Sequence, residues 1–178
     1  MRIMFLIIFS AFFVTNQVYL QELKVGDAAP NFKLPYATKD TIDQNGIQLS
    51  DLIGKKIIVI AFYPADWSPG CTNQMCSFRD DFEFFNDINA EVLAISGDYV
   101  WSHHNWAKSQ NYQFKLLSDH NHKVAELYNS YNSDRGFNKR TVFIIDKNGK
   151  IAYIDWKYST TDDSSLKKLK SKLNDITK

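Results

Sequence analysis

Cysteine is scarce in this 178-residue chain, which has two, Cys71 and Cys76. Four residues separate them, so the Cys-x-x-Cys spacing of zinc sites and dithiol oxidoreductases is missing. Histidine is also rare, and none of His103, His104, His120 and His122 falls at His-x-x-x-His spacing. Adjacent His103 and His104 face different ways on a helix. No metal or other cofactor is expected. An excess of one charge is missing too: 21 Lys and Arg stand against 20 Asp and Glu, a net charge of +1. Without clustered Lys and Arg, nothing points to a nucleic-acid partner.

Long apolar runs are lacking. The strongly apolar segment at residues 3–14 has 12 residues, too few to span a bilayer comfortably. Coming after Arg2, it reads as a secretory signal peptide, taken as residues 1–21, with a buried helix or a short anchor as the alternatives. It holds no cysteine, which excludes a lipobox-type lipid anchor, and no clean small-x-small cleavage site follows it. Its removal takes only Arg2 among the charges and leaves no stable membrane span. The mature chain is therefore expected to be exported, periplasmic or secreted. Two cysteines commonly pair in such compartments, so a structural disulfide is one reading of Cys71 and Cys76.

What is present fits a globular domain. Hydrophobic residues make up 44% and charged residues 23%, and an aromatic content of 15% supports a dense core. Residues 22–178 read as one domain, with no repeat or low-complexity linker. An entry segment carries a short strand at Phe32 to Leu34, a tight turn at Asn45-Gly46 and a helical turn ended by Gly54. Residues 57–63 are a continuous apolar run, as in a strand buried on both faces. A helix follows from Cys71, with Met75, Phe78, Phe82 and Phe85 as one core-facing stripe. Residues 91–96 are a second buried strand, 101–110 a helix and 114–117 a short strand. Ser118-Asp119 starts a helix through Tyr128. Residues 141–145 and 150–156 form a hairpin about Asp146 to Gly149. Thr161-Asp162 caps a last helix, with Leu166, Leu169, Leu173 and Ile176 on one face. This order predicts an α/β fold, a central mixed sheet flanked by helices.

Both cysteines lie in residues 64–76, where the first buried strand hands over to a helix. Backbone N–H groups at a helix start favour negative charge, and hence the nucleophilic thiolate at Cys71. Pro64 and Pro69 stiffen the loop, and Gly70 is expected to make the tight turn into the helix. The Ser68 hydroxyl is placed to hydrogen-bond the sulfur or its substrate, Tyr63 to line the pocket, and Asp66 to be an exposed turn residue, with tuning of the loop by hydrogen bonding as the alternative. Arg140, just before the strand at 141–145, is the best candidate for a distant cation. If Cys71 and Cys76 share one helix, the rise between them is about 7.5 Å and their Cα separation roughly 8–9 Å. A disulfide needs less than about 7 Å. Either the first turn unwinds to let them meet, or they never meet.

These residues resemble a family. Pro64-x-x-x-Ser68-x-x-Cys71, preceded by Tyr63 and followed by Cys76, is similar to the active-site motif of peroxiredoxins, and the longer string from Phe62 to Thr72 resembles their peroxiredoxin Q or bacterioferritin-comigratory subgroup. Gly26-Asp27-x-Ala29-Pro30-x-Phe32, Leu116-Leu117-Ser118-Asp119 and Arg140-Thr141-x-Phe143-x-Ile145-Asp146 resemble three further segments of that family, in its order, over about residues 23–175. The resemblance implies a thioredoxin-like fold. It implies that Cys71 attacks a hydroperoxide and becomes a sulfenic acid. Cys76 would resolve it as an intrachain disulfide, Ser68 and Arg140 would hold the oxygens, and thioredoxin or a similar dithiol would be the reductant. Ser68 stands where Thr is more common and Gln74 where the subgroup usually carries Glu, while Trp67 adds bulk beside the entrance. An altered rate or peroxide preference is expected from these departures. The alternatives are an exported thiol–disulfide oxidoreductase, which would use Cys-x-x-Cys, and a copper-delivery protein, which would bring both thiols onto one helix face.

Overall fold

The structure is a computed structural model that describes residues 22–177, so the expected signal segment lies outside the described residues. Its elements are β1 (Lys33–Ala37), β2 (Ile42–Gln48), β3 (Ile57–Phe62), α1 (Pro69–Asp80), α2 (Phe82–Asp87), β4 (Ala90–Ser96), α3 (Val100–Gln110), β5 (Lys115–Ser118), α4 (Lys123–Leu127), β6 (Tyr131–Asn132), β7 (Phe137–Asn138), β8 (Thr141–Ile145), β9 (Ile151–Asp155) and α5 (Ser164–Ile176). Seven strands form one mixed sheet in the order β2-β1-β5-β4-β3-β8-β9, and β6 and β7 form a separate ribbon. β3, β4 and β5 are parallel neighbours, while β8, β9, β1 and β2 join antiparallel. This is the mixed sheet flanked by helices that the order of elements predicts, and the thioredoxin-like arrangement that the resemblance implies. No helix among the described residues is long and apolar enough to cross a membrane.

The apolar run at residues 57–63 is continuous because both faces of β3 are buried. Side chains alternate along a strand. Ile57, Val59, Ala61 and Tyr63 pack under α1, α2, α3 and α5, with Met75, Phe78, Phe85, Trp106, Leu169 and Leu173. Ile58, Ile60 and Phe62 face the opposite core, with Val124 and Ala125 of α4, Tyr128, and Phe32, Leu34 and Leu49 of the entry segment. The α5 stripe lands as predicted, with Leu169 and Leu173 buried and Leu166 and Ile176 against them.

Three elements differ from the sequence reading. The aromatic stripe after Cys71 is two helices. Asp81 leaves helical geometry and turns its N–H back to the Ser77 and Arg79 carbonyls, and Phe78 and Phe85 still meet edge-on at 5.8 Å. Ser118 stays in β5, and Asp119 caps α4 from a distance, its carboxylate accepting the N–H groups of Val124 and Ala125. The entry hairpin turns between Thr38 and Thr41, whereas Asn45-Gly46 lies within β2. Gly46 has φ +77°, and a Cβ there would sit 2.3 Å from the Leu34 carbonyl oxygen, so glycine is needed for the strands to approach.

Glu91 of β4 lies between Lys56 and Lys115. Burial alone would raise its pKa, but the hydrogen bonds from Lys115 and Lys56 outweigh it and hold the carboxyl below its usual range. A depressed carboxyl stabilises the fold above its unfolded pKa, and that contribution is lost as pH falls through the folded pKa. Glu91→Gln is expected to cost about 1 kcal/mol at neutral pH, because both lysines are partly exposed. Urea denaturation across a pH series should show the gap closing below the ordinary carboxylate range.

Candidate active site

Strand register assembles the site. β8 runs antiparallel to β3 with Phe62 opposite Thr141. Beyond Phe62 the chain enters the loop to α1, and Arg140 immediately precedes Thr141, so both arrive at the same edge of the sheet. This is also where the parallel strands β3, β4 and β5 end, the usual place for a site in such folds. Arg140 Nη2 donates to Cys71 Sγ at 3.4 Å and Arg140 Nη1 to Gln74 Oε1 at 2.5 Å. Cys71 is fully buried and is the third residue of α1. Pro69 occupies the first helical position, where the missing N–H costs nothing. No side chain caps this helix, so first-turn N–H groups and the guanidinium both direct positive charge at the sulfur.

The other predicted residues divide. The Ser68 hydroxyl donates to the Ala65 carbonyl at 3.1 Å, turned back into the loop rather than towards the sulfur. Pro64 opens that loop directly after Tyr63. Gly70 does not make the turn: the left-handed residue is Trp67, with φ +62°. Gly70 instead gives room to the cation, since a Cβ there would sit 3.2 Å from Arg140 Nη2. Tyr63 packs into the core under the sheet. It is fully buried, its hydroxyl donates to Asp66 Oδ1 at 2.8 Å and its ring packs against Trp106. Cys76 lies in the same helix as Cys71, half-buried. Its thiol points to Gln110 Oε1 at 3.8 Å and the Tyr112 hydroxyl at 3.9 Å, and both cysteines are free.

Residues 25–154 match the model of the AhpC/TSA family. The chain belongs to that family. It is 38% identical over 148 residues to the chloroplastic peroxiredoxin Q of Oryza sativa subsp. japonica, a match covering 78% of this chain and 62% of the rice one. The chain thus spans about three-fifths of the length of that relative. It is 35% identical over 135 residues to peroxiredoxin Bcp of Bacillus subtilis (strain 168), covering 72% of this chain and 82% of the other. Among solved structures, peroxidoxin BcpB from Mycobacterium tuberculosis aligns with a TM-score of 0.76 at 29% identity, over 87% of this chain and 99% of that one. The AhpC/TSA match takes in Ser68, Cys71, Cys76 and Arg140 and stops before α5.

One part of this AhpC/TSA site escaped the sequence reading. Asp66 is not an exposed turn residue: it is 6% exposed, and its carboxylate takes the Tyr63 hydroxyl, the Ser102 hydroxyl at 2.7 Å and His103 Nδ1 at 2.9 Å. His103 Nε2 lies 3.2 Å from the Leu117 carbonyl. Both ring nitrogens thus lie against oxygen atoms. The Asp66 N–H donates to Asp98 at the end of β4. Trp67, strained in the left-handed region, is held by its indole N–H on Ser102 and by its ring against Trp106. Burial first, then the Asp66 charge, pushes the Tyr63 phenol well above its ordinary range. The available signal was helical spacing: His103 precedes Trp106 and Ala107 by three and four residues, which places it on the buried face of α3. The remaining histidines go elsewhere, His104 to the Thr38 carbonyl, His120 to Tyr99 and His122 to Asn138.

His103→Ala would remove one of the hydrogen-bond partners of the buried Asp66 carboxylate. A loss of about 1–3 kcal/mol in unfolding stability is expected by urea denaturation. A loss below about 1 kcal/mol would mean that the pair does not anchor the loop.

Proposed function

We propose that this chain is a thiol-dependent peroxidase that reduces hydrogen peroxide and organic hydroperoxides. The observation that carries the reading is the Arg140 guanidinium, 3.4 Å from a buried Cys71 sulfur at the start of α1. Cys71 attacks the terminal peroxide oxygen as the thiolate. The O–O bond breaks, the alcohol or water leaves with a proton, and Cys71 becomes a sulfenic acid. Arg140 and the first-turn N–H groups hold the two oxygens in line and take up the developing charge. The peroxiredoxin names of the relatives support this chemistry.

Cys76 then condenses with the sulfenic acid, releasing water and forming an intrachain disulfide. Both residues belong to α1, about 8–9 Å apart by helix geometry, so its first turns must unwind for the sulfurs to bond. A thioredoxin-type dithiol restores both thiols by exchange. Residues 1–21 act as a signal peptide and residues 22–178 as the catalytic domain, so the site works outside the cytoplasm and its reductant must be found there. A copper-delivery role fits less well, because Cys76 turns towards Gln110 and Tyr112 while Cys71 turns towards Arg140.

One equivalent of hydrogen peroxide should remove both thiols rapidly in a thiol count. Cys71→Ser should abolish the reaction, and Cys76→Ser should stop it at a trappable sulfenic acid. Unchanged thiols in the native chain would sink the reading. Arg140→Ala is expected to slow the first oxidation by about 100- to 1000-fold in stopped-flow measurements. Oxidation should also raise amide exchange across residues 70–78, and equal protection in both redox states would contradict the unwinding step.

A further inference from the structure

The AhpC/TSA match ends at residue 154, yet the loop over residues 156–163, between β9 and α5, reaches back to the reactive cysteine. The Tyr158 N–H donates to the Arg140 carbonyl at 3.1 Å, which pins the loop beside the cation. The Tyr158 ring packs edge-on against Phe78 of α1, with centroids 5.8 Å apart. The Ser159 N–H donates to Ser165 Oγ at 2.9 Å, and that hydroxyl donates to Asp155 at the end of β9. The Thr161 N–H donates to Ser159 Oγ, which closes the turn around Thr160. Thr160 is therefore fixed in place. A Cβ on Gly70 would meet Arg140 Nη2 at 3.2 Å and Thr160 Oγ1 at 3.6 Å. A guanidinium nitrogen and a hydroxyl thus share the space over the residue before Cys71.

Thr160 also lines a cleft of about 290 Å³ between α1 and this loop. The cleft adjoins the cation, because Gln74, which lines it, accepts a hydrogen bond from Arg140 Nη1. Cys71 is fully buried, so a peroxide has to approach it past its neighbours. The cleft walls carry Asn73 and Ser77 and the carboxylates of Asp80, Asp162 and Asp163, with Leu166 as the one aliphatic side chain among the described residues. No lysine or arginine among the described residues lines it. Asp80 and Asp163 pair with Arg79 and Lys167, both outside the lining. We propose that the Thr160 hydroxyl contacts the hydroperoxide beside Arg140 and that the cleft takes its organic group, so that the site prefers hydrogen peroxide and small uncharged hydroperoxides to long-chain anionic ones. This rests on the peroxidase reading given above. In that step the Cys71 thiol and ROOH give a sulfenic acid and ROH. The Thr160 hydroxyl donates to the inner oxygen, which gains negative charge as the O–O bond breaks. A fatty acid hydroperoxide would need an apolar wall for its tail and a cation for its carboxylate. The cleft offers neither, and its own polar groups would lose water to the tail and face a like charge.

Three hydroperoxides test this on the full reduced chain, with the first oxidation of Cys71 followed by stopped flow: hydrogen peroxide, tert-butyl hydroperoxide and linoleic acid hydroperoxide. The native chain is expected to react with the first two at least about tenfold faster than with the third. Thr160→Val keeps the shape and removes the hydroxyl. It should slow the reaction with hydrogen peroxide about 3- to 10-fold, the size of one hydrogen bond. Thr160→Ser, which keeps the hydroxyl, should recover most of that loss. Asn73→Lys places a cation on the rim of the cleft. It should raise the rate with linoleic acid hydroperoxide about fivefold relative to that with hydrogen peroxide. Native rates in Thr160→Val overturn the contact at Thr160. An equal loss in Thr160→Val and Thr160→Ser does the same, and is what a packing role would produce. A native chain that takes linoleic acid hydroperoxide as fast as hydrogen peroxide overturns the role of the cleft. A native chain whose thiols survive all three overturns the peroxidase reading and this inference with it, a failure separable from the others.

Discussion

The register between β3 and β8 is the constraint on which the site depends. With Phe62 opposite Thr141, Arg140 reaches a sulfur 69 residues earlier in the chain. Both strands are fully buried, and β3 sends alternate side chains into two different cores. A slip of one residue would exchange those faces, so the cores hold the register and the register holds the cation. Packing far from the cysteine thus sets its electrostatics. The glycine at position 70 then allows the guanidinium to come close.

The helix bearing the cysteines is held unevenly. Upstream, residues 64–70 are tied down by the Asp66 carboxylate on His103, Tyr63 and Ser102, and by the Asp66 N–H on Asp98. That tether lets Trp67 stay in a conformation which a large side chain rarely adopts. Downstream, Met75 and Phe78 anchor α1 in the core under the sheet. Between the anchors lies a stretch with an uncapped start and a glutamine whose amide is only half used. Such a distribution suits a segment that stays ordered for attack on a substrate and opens locally afterwards, because local openings follow the weakest cooperative unit.

Membership of the AhpC/TSA family narrows the chemistry of Cys71, while particular residues here give the site its own character. Ser68 lacks the methyl group of threonine, and its hydroxyl turns back to Ala65. Gln74 meets Arg140 with a neutral oxygen, so the guanidinium keeps its whole charge beside the sulfur. Trp67, 53% exposed, forms part of the surface around the loop.

Much of this was legible in the chain itself. The strand at residues 57–63, the helix from Cys71 onward, the C-terminal hairpin and the α5 stripe follow from local apolar periodicity, and the separation of Cys71 and Cys76 on such a helix follows from their spacing. Arg140 was legible as a candidate from its position before a strand. The ribbon of β6 and β7 was not, because two residues a strand carry no periodicity. The break at Asp81, the true cap of α4 and the place of Gly46 depend on long-range packing that overrides local propensity. Asp66 was misread because a short polar side chain in a loop looks the same whether it meets water or a histidine 37 residues away. The sequence by itself determined most of the longer elements and singled out Cys71 as the candidate nucleophile, since both readings depend on residues near one another in the chain. Only the tertiary structure decided which charges meet, which donors stay unpaired and which loop is held, because those contacts join residues that the chain keeps far apart.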